Sequence, residues 1–248
     1  MHGIIILWAM YWGVFGQLEP RIEVVIPTAE QEAEYVWRTL QDVAFFEANA
    51  YQISLPEGPL IEELKARVKS NRLENGDRAA LVAYIREQVY DAADYARGYQ
   101  QVTREIARLD QMVAEIESRS YAWGFKSFPR YKVVLTLYGP GGSYNPDDGS
   151  ILLYTTETGQ FKQYGNPINT LIHEITHIGI EQSIIQPLAV PHGLKERIVD
   201  TFVSLHFGDQ LPDYRIQAMG DEGIDQYFTT LKDISDLRGI VLRYMESR

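Results

Sequence analysis

Residues 173–177 read His-Glu-Ile-Thr-His, the pattern H-E-x-x-H, and the rest of the sequence is best interpreted from this stretch. Residues four apart on a helix share one face, so the imidazoles of His173 and His177 can reach one metal ion. Glu174 is then placed to take a proton from a water at that metal. The same residues also fit a half-buried helix without a metal, with Glu174 in solvent.

Two acidic residues further along the chain favour the metal site. Eighteen residues separate His177 from Glu196, and Asp200 follows four positions later. A carboxylate such as Glu196 suits a third zinc ligand, and an aspartate one turn on can accept a hydrogen bond from a ligand histidine. His192, close to Glu196, is an alternative third ligand. Glu181 continues the histidine stripe but lies too far along a straight helix to share the metal.

H-E-x-x-H followed by E-x-x-x-D resembles the gluzincin metallopeptidases, the clan that includes thermolysin and the zinc aminopeptidases. The resemblance implies that His173, His177 and Glu196 bind Zn2+, that Glu174 is the catalytic general base, and that Asp200 supports a ligand histidine. It implies a zinc-dependent hydrolase that cleaves peptide bonds in a peptide or protein substrate.

The resemblance is close over about 35 residues and does not extend to a subfamily. Lys195 stands where an asparagine often precedes the third ligand, and the glycine- and methionine-rich motif of the aminopeptidases is not visible. A metzincin would need a glycine and a histidine where Ile180 and Ser183 stand. We therefore assign the clan alone.

Composition narrows the class of protein further. The 248 residues are enough for one domain or two small ones, and the net charge of −11 argues against nucleic acid or an anionic membrane surface as a partner. The chain has no cysteine. This excludes disulfides, thiolate metal sites and cysteine nucleophiles. The sequence does not indicate an oligomeric state.

Residues 1–17 are predicted to be a signal peptide or a membrane anchor. Residues 4–15 are almost wholly apolar and too short to span a bilayer comfortably, but they suit the core of a secretory signal. Val14 and Gly16 suit cleavage before Gln17. Export to the periplasm or the extracellular space is therefore expected. A buried first strand or helix of the fold is the alternative.

Residues 18–125 are predicted to form a helical region. Helical spacing and capping residues predict helices over Thr28–Tyr51 and Leu60–Ser70. A long apolar stripe over Asp77–Arg119 predicts a long helix or a helical hairpin, with Gly98 as the point of kinking or division. This stripe suits a helical bundle within the chain, and an oligomerising or substrate-binding arm is the alternative.

Residues 126–248 are predicted to form the catalytic region. Tyr131–Tyr138 and Ile151–Tyr154 read as strands joined by a glycine-rich connection. By analogy with zincins, the edge strand would hold an extended substrate, and residues 139–144 would border the cleft. The predicted fold class is α+β: a mostly helical, zincin-like fold with a small antiparallel or mixed sheet before the active-site helix.

The boundaries of the two ligand-bearing helices follow from capping signals. Asn166 and Pro167 suit the start of the helix with the two histidines. Pro191 and Gly193 suit the start of the next helix, which Gly208 would end. Further helix is expected beyond residue 221.

The reaction also needs a donor for the developing oxyanion. The sequence offers His192, His206, Tyr214 and Tyr227, and spacing does not choose between them. Three functions stay open at this point: a zinc metallopeptidase; a zinc hydrolase of another substrate or a catalytically silent relative; and a helical interaction module whose H-E-x-x-H is accidental.

Overall fold

The computed structural model describes residues 20–161, 165–218 and 220–248. The predicted signal peptide or anchor, residues 1–17, lies outside the described residues, so export stays a prediction. Among the described residues, no helix is both long and apolar enough to cross a membrane.

The described chain is a mixed α+β structure with one small sheet, which confirms the predicted fold class at this level. The helices are α1 Ala29–Gln41, α2 Val43–Ala48, α3 Pro59–Lys69, α4 Asp77–Tyr84, α5 Ala96–Ser118, α6 Pro167–Ile180, α7 Gln186–Leu188, α8 His192–Phe207, α9 Leu231–Ile234 and α10 Leu237–Glu246. The strands are β1 Ile22–Val25, β2 Tyr131–Thr136, β3 Gly142–Asn145 and β4 Ser150–Tyr154.

The sheet has the strand order β1-β2-β4-β3. The first three strands in this order are parallel, and β3 is antiparallel to β4 at the edge of the sheet. The glycine-rich connection is therefore more than a turn, because its middle part, Gly142–Asn145, forms the edge strand. Gly139 and Gly141 have φ values of 105° and 151°, a region that favours glycine, and they let the chain reverse before β3.

Helix α6 lies in the centre of the fold. It begins as predicted, with the Asn166 side chain accepting a hydrogen bond from the Ile168 amide and Pro167 in the first turn. Apolar side chains surround the helix, which packs against α5, α8, β3 and β4. Almost every residue of α6 is buried, including both histidines. Burial on all sides fixes the helix and limits the rotamers that its polar side chains can adopt.

The predicted helix over Thr28–Tyr51 is divided into α1 and α2 at Asp42. Thr28 caps α1 as predicted, and its side chain accepts a hydrogen bond from the Gln31 amide. A smaller hydrophobic core joins α1, α3 and α4. Its buried members are Ala33, Val36, Leu40, Ile61, Leu64, Leu81 and Ile85.

A buried carboxylate ties this helical region to the sheet. Glu32 Oε1 accepts hydrogen bonds from the Leu137 amide (2.9 Å) and from the Thr136 hydroxyl (3.0 Å) at the end of β2. Burial raises the pKa of Glu32 and outweighs the hydrogen bond from Leu137, which lowers it. The contact places α1, and the shorter α2 behind it, beside the carboxyl end of the parallel strands.

The predicted long helix over Asp77–Arg119 is also divided, but not at Gly98. The chain is extended at Tyr90 and Asp91, where the Tyr90 hydroxyl donates to the Pro27 carbonyl. Gly98 instead lies inside α5, where a Cβ atom would come within 2.6 Å of the Thr155 hydroxyl oxygen. The apolar stripe of α5 packs within the chain. It belongs to a larger hydrophobic core that contains residues of both predicted regions, 18–125 and 126–248.

Candidate metal centre

Helices α6 and α8 bring two imidazoles and one carboxylate together. The Nε2 atoms of His173 and His177 are 3.0 Å apart, and Glu196 Oε2 lies 3.4 Å from each of them. All three side chains are buried. In a tetrahedral site with bonds near 2.0–2.1 Å, two ligand atoms are separated by about 3.3 Å. His173, His177 and Glu196 therefore form a group that can hold a metal ion (the metal group), and His192 is not part of it.

Asp200 and Tyr214 lie behind His173. Asp200 Oδ1 is 3.1 Å from His173 Nδ1, and the Tyr214 hydroxyl is 2.8 Å from both atoms, donating to the carboxylate. The backbone amide of Gln217 donates to Asp200 Oδ2 at 2.7 Å. These contacts orient the His173 ring with Nε2 toward Glu196, the task that sequence analysis assigned to Asp200. Tyr214, considered there as an oxyanion donor, contacts the predicted ligand His173.

The substitution Tyr214→Phe should weaken metal binding about tenfold, because it removes the hydroxyl between His173 and Asp200. Zinc affinity measured by competition with a chromophoric chelator checks this. Tyr227→Phe is the matched control, since Tyr227 is an exposed tyrosine that packs on Tyr244. Equal zinc affinities for the two variants would contradict a positioning role for Tyr214.

His177 is oriented by an aromatic contact rather than by a carboxylate. The Tyr144 ring stacks on the His177 imidazole with centroids 4.7 Å apart and planes 6° apart. Within the described residues, His177 Nδ1 has no hydrogen-bond partner. The Tyr144 hydroxyl donates to Glu181 Oε2 (2.7 Å) and accepts from Lys195 Nζ (3.1 Å). Tyr144 thus connects β3 to both ligand-bearing helices.

The protonation of the three predicted ligand side chains reflects their burial. Burial lowers the pKa of His177 to about 4, which keeps its imidazole neutral. Burial opposes ionisation of Glu196, but the charges and hydrogen bonds of His177 and His173 outweigh it and lower the pKa. At His173, burial is outweighed by hydrogen bonds to Asp200 and Glu196, which raise the pKa. A proton on His173 therefore competes with a metal ion.

Glu174 is buried beside the edge strand. A Cβ atom at Gly142 would lie 2.2 Å from Glu174 Oε1, so only a glycine leaves room for this carboxylate. Burial raises the pKa of Glu174 to about 7, opposed by the charge of His173, assisted by that of Glu196 and opposed again by Lys195. A carboxyl group with a pKa near neutrality can both accept and return a proton.

Gly142→Ala should therefore reduce any activity that depends on Glu174 by about tenfold or more, because the added methyl group displaces the carboxylate. Metal content should not change. Gly142 does not have a positive φ, so the effect is one of space and not of backbone strain. Gly76→Ala is the matched control, since a Cβ atom there meets nothing within 4 Å. A Gly142→Ala variant with wild-type activity would contradict the close approach of the Glu174 carboxylate to Gly142.

A cavity of about 310 Å³ opens on the metal group. Three parts of the chain line it. The helical region contributes Arg38, Asp42, Phe45, Phe46 and Tyr51; the edge-strand segment contributes Pro140, Gly141, Gly142, Ser143 and Tyr144; and the two ligand-bearing helices and the loop after them contribute Thr170, His173, Glu174, His177, His192, Lys195, Glu196 and Gln217. The glycine-rich cluster borders the cavity, as sequence analysis expected.

The predicted oxyanion donors are in different places. His192 lines the cavity, where its Nε2 lies 3.0 Å from the Tyr51 hydroxyl and its Nδ1 lies 3.6 Å from Glu196 Oε1. His206 is buried elsewhere, with contacts to the Tyr121 hydroxyl (2.7 Å) and to the Phe202 carbonyl. Sequence reasoning missed Tyr51, because no local pattern connects a residue after α2 to a site more than a hundred residues later.

Comparisons of the chain with protein-family models, curated proteins and solved structures gave no match.

Proposed function

We propose that this protein is a zinc-dependent metallopeptidase. The observation that carries the proposal is the buried group of His173, His177 and Glu196, with the Glu174 carboxyl group in the same cavity. Two imidazoles and one carboxylate are a ligand set of catalytic zinc sites, which keep a further position for water or substrate. Bound zinc would polarise a substrate carbonyl and lower the pKa of water.

Glu174 performs the proton transfers in this proposal. Its carboxylate takes a proton from the attacking water and then passes it to the amine that leaves. The pKa near 7 suits both directions of transfer. The cavity wall at Gly142 holds the carboxylate in place.

The edge strand supports a peptide as the substrate. Among the described residues, β3 has β4 as its single partner strand, so its other edge offers backbone amides and carbonyls. An extended peptide can pair with such an edge. Gly142 belongs to this strand and touches Glu174, so a peptide on β3 passes beside the base.

Tyr51 is proposed as the donor to the developing oxyanion. Burial, assisted by the charges of Glu196 and Glu174, raises the pKa of Tyr51 to about 12, so its hydroxyl stays protonated. Tyr51→Phe should lower kcat about tenfold to a hundredfold, with KM and zinc content nearly unchanged. Tyr99→Phe, on the exposed side of α5, is the control. If Tyr51→Phe kept the wild-type kcat, a group other than Tyr51 would be the donor.

Digestion of a peptide library tests the proposed function. The zinc-loaded protein should cleave peptides, lose this activity on chelation and regain it when zinc is restored. If the zinc-loaded wild type cleaves no peptide that the Glu174→Gln variant leaves intact, the peptidase proposal is contradicted. Absence of stoichiometric zinc would instead favour the helical interaction module.

A further inference from the structure

Lys195 is a cation in the cavity that the proposed mechanism does not use. It is half-buried on the first turns of α8, where residues three and four apart share a face. His192 and Glu196 lie on that face with it, and all three line the cavity. Lys195 also occupies a position at which the sequence departs from the gluzincin pattern.

The ammonium group of Lys195 is only partly satisfied by the protein. It donates one hydrogen bond to the neutral Tyr144 hydroxyl and has three N–H groups to offer. Among the described residues, no carboxylate lies within salt-bridge distance of it. Arg197, two positions further along α8, is in contrast paired with Asp225. Lys195 therefore keeps donors available on the cavity side.

A second cation lines the same cavity. Arg38 is exposed on α1, and within the described residues it is not paired with a carboxylate. A divalent metal ion would balance the carboxylates of Glu196 and Glu174. The two positive side chains, Lys195 and Arg38, would then outnumber the one remaining negative side chain that lines the cavity, Asp42. The cavity would favour an anion although the whole chain carries a net charge of −11.

We propose that Lys195, assisted by Arg38, binds a carboxylate group of the substrate. This inference rests on the proposed peptidase function and deepens it by naming the substrate class. The carboxylate belongs either to the C-terminus of a peptide or to an aspartate or glutamate side chain near the scissile bond. Tyr144 positions the ammonium group, because its hydroxyl accepts from Lys195 and its ring is fixed against His177.

Binding to a zinc-loaded Glu174→Gln variant tests the inference without turnover. One arm compares the same peptide with a free and with an amidated C-terminus, and the other compares glutamate with glutamine at positions along the peptide. In one of the two arms, the peptide with the carboxylate should bind at least about tenfold more tightly than its neutral counterpart. That arm identifies the source of the carboxylate. Equal dissociation constants in both arms would overturn the inference.

Variants at Lys195 assign the preference to this residue. Lys195→Met, added to the Glu174→Gln background, should remove most of the preference, and Lys195→Arg should keep most of it. Lys232→Met, an exposed lysine on α9, is the matched control and should change nothing. Arg38→Gln is a second variant, which should remove part of the preference for the carboxylate peptide. A preference that survives both Lys195→Met and Arg38→Gln would overturn the assignment.

The two proposals can fail separately. If the wild-type protein cleaves peptides without regard to carboxylates, the peptidase stands and the carboxylate site is wrong. If the Glu174→Gln variant binds carboxylate peptides selectively but the wild type cleaves none, the binding site stands and the peptidase is wrong.

Discussion

Replacing Glu174 with glutamine should reduce peptide hydrolysis by about 10²–10⁴-fold while leaving zinc content unchanged. Glutamine has nearly the same shape, so it still fits against Gly142, but its amide cannot accept the proton of water at neutral pH. The carboxyl group that it replaces has a pKa near 7 and lies in the same cavity as the metal group. Steady-state kcat/KM and elemental analysis of the purified variant measure the two quantities.

Glu157→Gln is the matched control for this variant, because Glu157 is exposed in the turn after β4. It should cleave peptides like the wild type. If Glu174→Gln retained wild-type activity, the base would be another group, and the reaction proposed for the cavity would be wrong. Loss of zinc from Glu174→Gln would instead point to a role in holding the metal group.

Replacing His177 with alanine should abolish stoichiometric zinc binding and the stabilisation that zinc provides. Removing one of three ligands destroys the group in which His173, His177 and Glu196 meet. A ligand that binds only the folded state stabilises it by about 2.7 kcal/mol when present at a hundred times its dissociation constant. Thermal unfolding with and without zinc should therefore show an upward shift of Tm for the wild type and none for the variant.

His206→Ala separates metal binding from packing. His206 is also a buried histidine, on α8, but it contacts Tyr121 and Phe202 and lies outside the metal group. Its replacement should lower Tm and leave both the zinc content and the zinc-induced shift intact. A zinc-induced shift in His177→Ala equal to that of the wild type would exclude His177 as a ligand.

Several features of the site could be predicted from sequence because they depend on local geometry. The spacing of His173 and His177 places both imidazoles on one helical face whatever surrounds the helix. Asn166 marks the start of α6 and Gly208 the end of α8, since capping depends on neighbouring backbone groups. The choice of Glu196 needed the downstream pattern as well, because its approach depends on how two helices pack.

Other features follow from contacts between distant parts of the chain. The division at Asp42 and the docking of α1 on β2 through Glu32 carry Tyr51 to His192. Neither the periodicity nor the capping residues of the helical region contain this information. A stripe predicts that a helix is buried, but not which partner covers it.

The sequence by itself determined the pair of imidazoles, the carboxylate between them and the helices that carry them, because helical periodicity places side chains within a few residues of one another. The tertiary structure alone decided that Gly142 lies against Glu174, that Tyr144 stacks on His177, and that Lys195 faces the same cavity. These placements depend on how α6, α8 and the sheet pack together. Such packing is a property of the whole folded chain and leaves no signal in any short stretch of it.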